Sequence, residues 1–387
     1  MEGVNKVKLA NEEKKPIRVL QVIGVMDRGG AESMIMNLYR AIDKSKVQFD
    51  FLVHTKKEGV FDREIKELGG RIFTVSRFTG LNSVSYYREC CRFFEEHKEY
   101  KVVHGHIGSC ASLYLKAAHK NGMFTIAHSH SALNTINNAH DFFYKIFSYP
   151  TRFTADQLFG CSTEAGMARY GKKALKKGKY KNFCNAINLK RFIYDNALRK
   201  KAREALDIGE SKIVIVHVGR ITSAKNPTMI LAVFQEIVNI DENAVCLWVG
   251  TGPEEEEYKG KISSLGLSER IIMTGVRSDI PDILFAADCF LFPSLWEGLP
   301  VSVVEAQASG LPCVISDTIT REVEVSDLVE WHSLSETPKL WASRCIQLAK
   351  ENSMSRMSPK QSIIDSGYDI DTTSKWLADF YTSHFNE

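Results

Sequence analysis

The sequence predicts an α/β protein of two doubly wound, parallel-sheet lobes, and three observations predict it. At 387 residues the chain exceeds the size at which single cores stop growing, about 250–300 residues. Short apolar runs rich in β-branched residues alternate with helical periodicity, the pattern of a parallel sheet covered on both faces. The alternation lapses near residue 190 and restarts near residue 212.

In the first half, "IRVLQVIGV" (17–25) reads as a strand and "MDRGGAESMIMNLYRAID" as a glycine loop and helix, with Met34, Leu38 and Ala41 at helical spacing. "FDFLVH" precedes a helix near 61–68, "RIFTVS" one at 83–97, and "KVVHGH" one at 109–121. "FTIAHS" precedes a helix at 139–150, and "QLFGCS" one at 163–170. Residues 182–199 are expected to close this half with a strand and a polar connection. The second half runs "KIVIVHVGR" (212–220), helix 227–239, "AVCLWVG", helix 254–264, "IIMTG", a short helix, "CFLFPS", a helix after Pro300, and "PCVIS". Near the C-terminus Trp376, Leu377, Phe380 and Tyr381 share one helical face, as for a helix packing back across the hinge. The expected domains are 1–190, 191–370 and a C-terminal helix at 371–387 that packs on the first lobe. Both sheets would then open their carboxyl ends onto one cleft.

Composition narrows the function. No Gln, Ser or Pro tract suggests a disordered arm. Nine unpatterned cysteines point to a reducing compartment. The N-terminus lacks a signal-peptide core and no run of about 18 apolar residues occurs, so the chain is expected to be neither secreted nor membrane-spanning. Residues 1–190 carry 31 Lys+Arg against 18 Asp+Glu, a charge of +13, and the remainder carries −10. A lobe facing an anionic membrane would show that split, as would a solvated basic face. Lys172–Lys181 hold much of the excess without interleaved aromatics or base-reading motifs, which argues against nucleic acid.

Four segments carry chemistry. In "VGRITSAKNP", Gly219 ends a strand, and Arg220 and Lys225 follow before a helix start, an arrangement that suits a diphosphate. Taken by itself, the stretch reads better as two solvated loop charges. "WVGTGPEEEEY" ends a strand in Gly250-Thr251-Gly252, where another group can approach the backbone closely. Val276 and Arg277 follow a third strand and could edge a base pocket. In "FPSLWEGLPVSVVEAQASG", Glu297 stands before a helix and Glu305 within it, and buried carboxylates demand specific partners. No Gly-x-Gly-x-x-Gly occurs at either glycine loop, which disfavours a dehydrogenase.

With these residues in place the sequence resembles the retaining GT-B glycosyltransferases of family 4, whose second lobe carries a Glu, seven residues, Glu motif. Gly29-Gly30-Ala31-Glu32 is similar to the family's first glycine loop, "CST" to its sixth strand end, and "NAINLKRF" to its interlobe segment. Ala186 and Asn188 depart from the Gly and Asp common there. The resemblance implies a nucleotide-sugar donor with its base near Val276 and Arg277, its ribose on Glu305, and its diphosphate on Arg220 and Lys225. Glu297 would meet the donor sugar, with Gly298, Leu299, Pro300 and Val301 holding sugar and phosphate oxygens. Gly29, Gly30 and Gly219 would approach the donor closely.

His128 is the first choice for the histidine beside the donor sugar and His130 the second; either also reads as structural, with a metal pair the weakest reading. His106 is placed on the acceptor side with His130, while His104 reads equally well as a core residue. No Asp-x-Asp pair ends a strand, so neither a metal nor another cofactor is expected. The implied reaction moves a sugar, most simply from a UDP-sugar, with retention, to a saccharide or polyprenyl-diphosphate-linked acceptor. Capsule, exopolysaccharide or lipopolysaccharide synthesis, at the cytoplasmic face of the cell membrane, is the expected setting. The competing readings are a non-catalytic nucleotide-sugar-binding scaffold and a GT-B epimerase.

Overall fold

The computed structural model describes residues 15–27, 29–130, 146–352 and 356–385. The first sheet comprises β1 (Ile17–Ile23), β2 (Val47–Val53), β3 (Ile72–Thr74), β4 (Val102–Gly105), β5 (Phe124–Ser129), β6 (Gln157–Gly160) and β7 (Tyr180–Asn182), in the order β3-β2-β1-β4-β5-β6-β7. The pairs β1–β2, β1–β4, β2–β3, β4–β5 and β6–β7 are parallel. Its helices are α1 (Gly30–Ala41), α2 (Asp62–Glu67), α3 (Ser83–Glu96), α4 (Ala111–Lys120), α5 (Thr151–Thr154), α6 (Thr163–Tyr170) and α7 (Lys172–Leu175).

Helix α8 (Asn196–Ala205) leads to the second sheet, β8 (Ile213–Val218), β9 (Ala244–Val249), β10 (Ile271–Gly275), β11 (Cys289–Phe292), β12 (Cys313–Ser316) and β13 (Val329–His332). Their order is β10-β9-β8-β11-β12-β13, with every neighbouring pair parallel. The accompanying helices are α9 (Pro227–Ile240), α10 (Glu255–Ser264), α11 (Ile280–Ala286), α12 (Val301–Ala308), α13 (Pro338–Asn352), α14 (Lys360–Asp365) and α15 (Ile370–Phe385).

The chain divides into two compact units, one of Met1–Ala127, Phe143–Gln157 and Ser374–Glu387, the other of His128–Phe142 and Leu158–Thr373. In the second unit, alternate residues of β8 feed two cores. Val214 and Val216 pack with Phe290, Phe292 and Val304, and Ile215 packs with Phe234, Trp248 and Trp341. Burial on both faces makes the strand apolar throughout, and each such side chain contributes roughly 1.5–3 kcal/mol. In the first unit, α15 packs through Tyr381, whose ring meets Phe49 edge-on at 6.1 Å and whose hydroxyl lies 2.6 Å from His104 Nδ1.

Several expectations need correction. The strand placed in 182–199 is β7, which ends at Asn182, and the supposed polar connection already contains the start of α8, capped by Asp195 through Ala197 and Leu198 N–H. Strand β13 and helices α13 and α14 were not anticipated. The helix expected at 139–150 lies mostly outside the described residues.

Candidate active site

Ligands of open parallel sheets bind beyond the carboxyl ends of the strands, where the strand order reverses. In the second sheet that point lies between β8 and β11, because β9 and β10 extend to one side of β8 while β11 to β13 extend to the other. The loops leaving β8 and β11 carry Gly219, Arg220 and Lys225, and Glu297 to Val301.

The β8 loop is held rigidly. Gly219 N–H donates to Val249 carbonyl at 2.9 Å and Ile221 N–H to Thr251 carbonyl at 3.0 Å. A Cβ on Gly250, at φ 130°, would collide with the Gly219 carbonyl, and one on Gly252 with the Ile221 carbonyl. The group that approaches these glycines is thus the neighbouring loop, and a ligand is not needed to explain them. A 3-10 turn at Ser223–Lys225 then reaches Asn226, which takes a left-handed conformation and caps α9 through Met229 N–H, with Pro227 at the first helical position. This cap fixes where Lys225 leaves the chain. Arg220 is exposed and forms no ion pair among the described residues.

The β11 loop meets it. Leu295 N–H donates to Ala224 carbonyl at 2.9 Å, and Lys225 Nζ lies 2.6 Å from Glu297 Oε1. The two side chains are 17% and 13% exposed, so the ion pair is largely shielded from water. Lys225 Nζ also stands 4.7 Å from the Phe292 ring centroid. Ser316 and Thr318 hydroxyls donate to Ser294 carbonyl and hold the loop from behind. Helix α12 starts at Val301 after Pro300 with no side-chain cap among the described residues; Val303 N–H turns back to the Pro300 carbonyl, and the N–H groups of Val301 and Ser302 are left for an anion. The Glu305 carboxylate, one turn on, accepts no hydrogen bond from a described residue, while its backbone carbonyl accepts from Ser309. Burial pushes its pKa up to about 7, against the pull of Arg191.

His128 and His130 stack at 4.2 Å. His128 is fully buried, edge-on to Phe159 and Phe183, with its carbonyl accepting from Arg169 Nη1 at 2.6 Å. His130 is half-buried, and its carbonyl oxygen lies 3.6 Å from where a Cβ would stand on Gly298. Burial, aided by repulsion from Arg169, pushes the His130 pKa down to about 3, so the ring is neutral. Of the two, His130 is the one whose backbone lies beside Gly298 of the glutamate loop. The "CST" end is tied down separately: Glu322 accepts from Thr163 N–H at 2.7 and 3.1 Å.

The remaining expected residues have surroundings of their own. Val276 is 63% exposed, and Arg277 is clamped by Asp279 at 2.6 and 2.8 Å. Gly29 and Gly30 open α1 in the first unit, where the Glu32 carboxylate folds back over Gly29. His106, also in the first unit, is buried, with Nε2 2.9 Å from Gln21 Oε1, so it serves a core hydrogen-bond network. Leu299 packs against the second unit's core.

Three residues were missed. Asn226 was legible as the polar residue before Pro227. Glu322 follows no motif that names its partner. His217 sits inside β8, two residues before Gly219, and a histidine in an otherwise apolar strand was the available signal.

The sequence profile of a family described as glycosyl transferases, group 1, matches residues 199–361. EpsF of Bacillus subtilis, a protein named as a glycosyltransferase, is 32% identical over 368 residues, covering 94% of this chain and 96% of EpsF. An Escherichia coli galactosyltransferase, named for UDP-Gal and α-D-GlcNAc-diphosphoundecaprenol, is 34% identical over 139 residues, 34% of this chain and 35% of its own. Anabaena HepE, solved in complex with UDP, matches with a TM-score of 0.77 at 16% identity, over 95% of this chain and 100% of HepE. The two parallel-sheet domains are those of the GT-B fold.

Proposed function

The chain belongs to the group 1 glycosyl transferases, and from that premise we propose that it transfers a hexosyl unit from a UDP-sugar, with retention, to a saccharide carried on a polyprenyl diphosphate. The expected setting is capsule, exopolysaccharide or lipopolysaccharide assembly. UDP in the HepE structure and the E. coli relative's substrates support the choice of donor and acceptor.

The observation that carries this reading is the Lys225–Glu297 pair at the switch point, beside an uncapped helix N-terminus. Lys225, Arg220 and the α12 N–H groups would hold the diphosphate and take up the charge that develops as it leaves. In the proposed step the acceptor oxygen bonds to the anomeric carbon and the bond from that carbon to phosphate oxygen breaks. The electron pair stays on the diphosphate, which also receives the acceptor's proton. Two cations would supply the stabilisation, so neither a metal ion nor another cofactor is part of the proposal. Glu305 would accept from the ribose hydroxyls, and Glu297, once released by Lys225, from the sugar's. Val276 and Arg277 would edge the base. For the histidine beside the sugar both His128 and His130 stand, His128 being the fully buried one and His130 the half-buried one.

Release of UDP from UDP-sugars by purified protein, with EDTA present, tests the reading. Donor-independent inertness across UDP-, GDP- and ADP-sugars would favour a scaffold.

Docking on an anionic membrane has its own support. Among the described residues no helix is long and apolar enough to cross a membrane. In the first unit Leu81, Val84, Tyr149 and Phe153 are exposed, with Arg77 and Arg88 exposed nearby in sequence. Phe78 meets Phe147 at 5.1 Å, which brings the two apolar segments together. Such a surface combines apolar insertion with attraction to anionic headgroups. Co-sedimentation with anionic liposomes should weaken when Leu81 and Phe153 are both changed to Ser, and no binding at low salt would end the idea.

A further inference from the structure

One buried titratable group beside the switch point has no part in the reaction described above. His217 is fully buried on β8, stacked on Phe292 at 5.5 Å and edge-on to Trp248 at 6.3 Å. Its Nδ1 lies 2.9 Å from the Leu291 carbonyl. A carbonyl oxygen can only accept, so Nδ1 carries the proton and Nε2 presents a bare lone pair. Burial, with a further contribution from the Lys225 charge, pushes the pKa down to about 3, so the ring stays neutral. Nε2 is itself buried and has no hydrogen-bond partner among the described residues. Buried polar atoms of this kind ask for an explanation.

Geometry says what lies near Nε2. The place a Cβ would occupy on Gly219 lies 3.0 Å from His217 Nε2, 3.3 Å from Lys225 Cε and 3.4 Å from Lys225 Cδ. Imidazole and lysine therefore flank the same point, and Gly219 leaves it open. A phosphate oxygen offers only lone pairs and would repel Nε2, so the partner must be a donor. The Lys225 ammonium has three N–H groups, of which Glu297 takes one. To meet that acceptor the Lys225 side chain would have to swing its ammonium from Glu297 toward His217.

On this basis we propose that His217 is a positioning residue for Lys225: its Nε2 accepts a hydrogen bond from the ammonium once a donor diphosphate draws Lys225 away from Glu297. Lysine then has two stations. In the first it neutralises Glu297; in the second it is held between His217 and the diphosphate, and Glu297 is free to accept from the sugar. The aromatic sandwich of Phe292 and Trp248 keeps the ring from turning, so the second station is preformed. This inference rests on the nucleotide-sugar reading and adds to it a residue that acts through Lys225.

A double-mutant cycle in calorimetric UDP titrations tests it, using wild type, His217→Phe, Lys225→Met and the double variant. His217→Phe keeps an aromatic ring in the sandwich and should weaken UDP about tenfold, the factor that one hydrogen bond to a charged group carries. The double variant should bind no more weakly than Lys225→Met alone, because the lost acceptor then has nothing to receive. His217→Gln, whose carbonyl can accept, should restore most of the affinity. Additive losses, or unchanged affinity in His217→Phe, would overturn the proposal. So would melting curves showing that every substitution at 217 unfolds the chain, since the imidazole would then be a packing residue. Wild type that binds none of UDP, GDP and ADP removes the donor reading and this inference together; wild-type binding with an additive cycle removes only the role of His217.

Discussion

Lys225 Nζ sits 2.6 Å from Glu297 Oε1, joining the loop after β8 to the loop after β11 across the reversal in strand order. The pair is shielded enough for its Coulomb energy to matter, and each partner limits what the other can do for a ligand.

Glu297→Gln should therefore separate binding from turnover. Releasing Lys225 and removing a negative charge should strengthen UDP binding several-fold, roughly 1 kcal/mol, while turnover of a UDP-sugar falls by more than about 100-fold. Lys225→Ala should weaken UDP. Calorimetry beside a nucleotide-release assay reads both, and a Glu297→Gln protein with weakened UDP binding and full turnover would contradict the arrangement.

Glu305 makes a pH-dependent prediction. Its folded pKa, raised to about 7, exceeds the unfolded value near 4.3, so its stabilising contribution is complete below about pH 4.3 and is lost as pH rises through about 7. Glu305→Gln should melt at a higher temperature than wild type at pH 8, and the difference should vanish toward pH 4.5. The same change should cripple turnover, because ribose hydroxyls lose a charged acceptor. UDP affinity of the wild type should fall between pH 8 and pH 6, and a flat profile would count against ribose contact.

The two histidines divide by burial. His130→Ala should lower turnover about 10- to 100-fold with UDP affinity nearly intact. His128→Ala should show itself first as lost stability, about 1–3 kcal/mol in urea unfolding, because it empties a site lined by Phe159 and Phe183. Equal stability and a larger catalytic loss in the His128 variant would make His128 the histidine beside the sugar.

Asp50 governs the first unit's acid sensitivity. The carboxylate is fully buried and accepts from Arg18, Arg71 and Tyr100 at 2.5 to 3.0 Å. Burial alone would raise its pKa, yet these donors outweigh it and hold the carboxyl below the usual range. A depressed folded value gives stability that is present above about pH 3.9 and lost as pH falls through the folded pKa. Asp50→Asn should cost about 2–3 kcal/mol at pH 7, less than a wholly buried pair because both arginines are part-exposed. Unfolding curves at pH 7 and pH 3 should show the difference shrinking in acid.

The two sheets were legible because their strands are buried on both faces, and continuous β-branched runs such as "IVIVHV" and "AVCLWV" announce that burial locally. Edge elements were not. Strand β13, "VEWH", pairs among the described residues with β12 alone and carries polar residues, so its strand character comes from the neighbour it joins. Helix α8 was hidden by "NALRKKAREA", whose charged face masks the few residues it buries, among them Arg203, which reaches Asp288 and four backbone carbonyls.

Residue types at loop positions are local information, and the sequence by itself determined that Gly219, Arg220, Lys225, Glu297 and Glu305 would cluster in kind, as cations, carboxylates and glycines after strands. Which of them touch is not local. The contact of Lys225 with Glu297 spans 72 positions in the chain and exists because β8 and β11 are neighbours in the sheet. The inward place of His128, the capture of Arg277 by Asp279, the burial of His106 on Gln21 and the open lone pair of His217 were likewise decided by packing. A side chain's burial and hydrogen-bond partners come from residues that fold back beside it, and no pattern within its own segment records them.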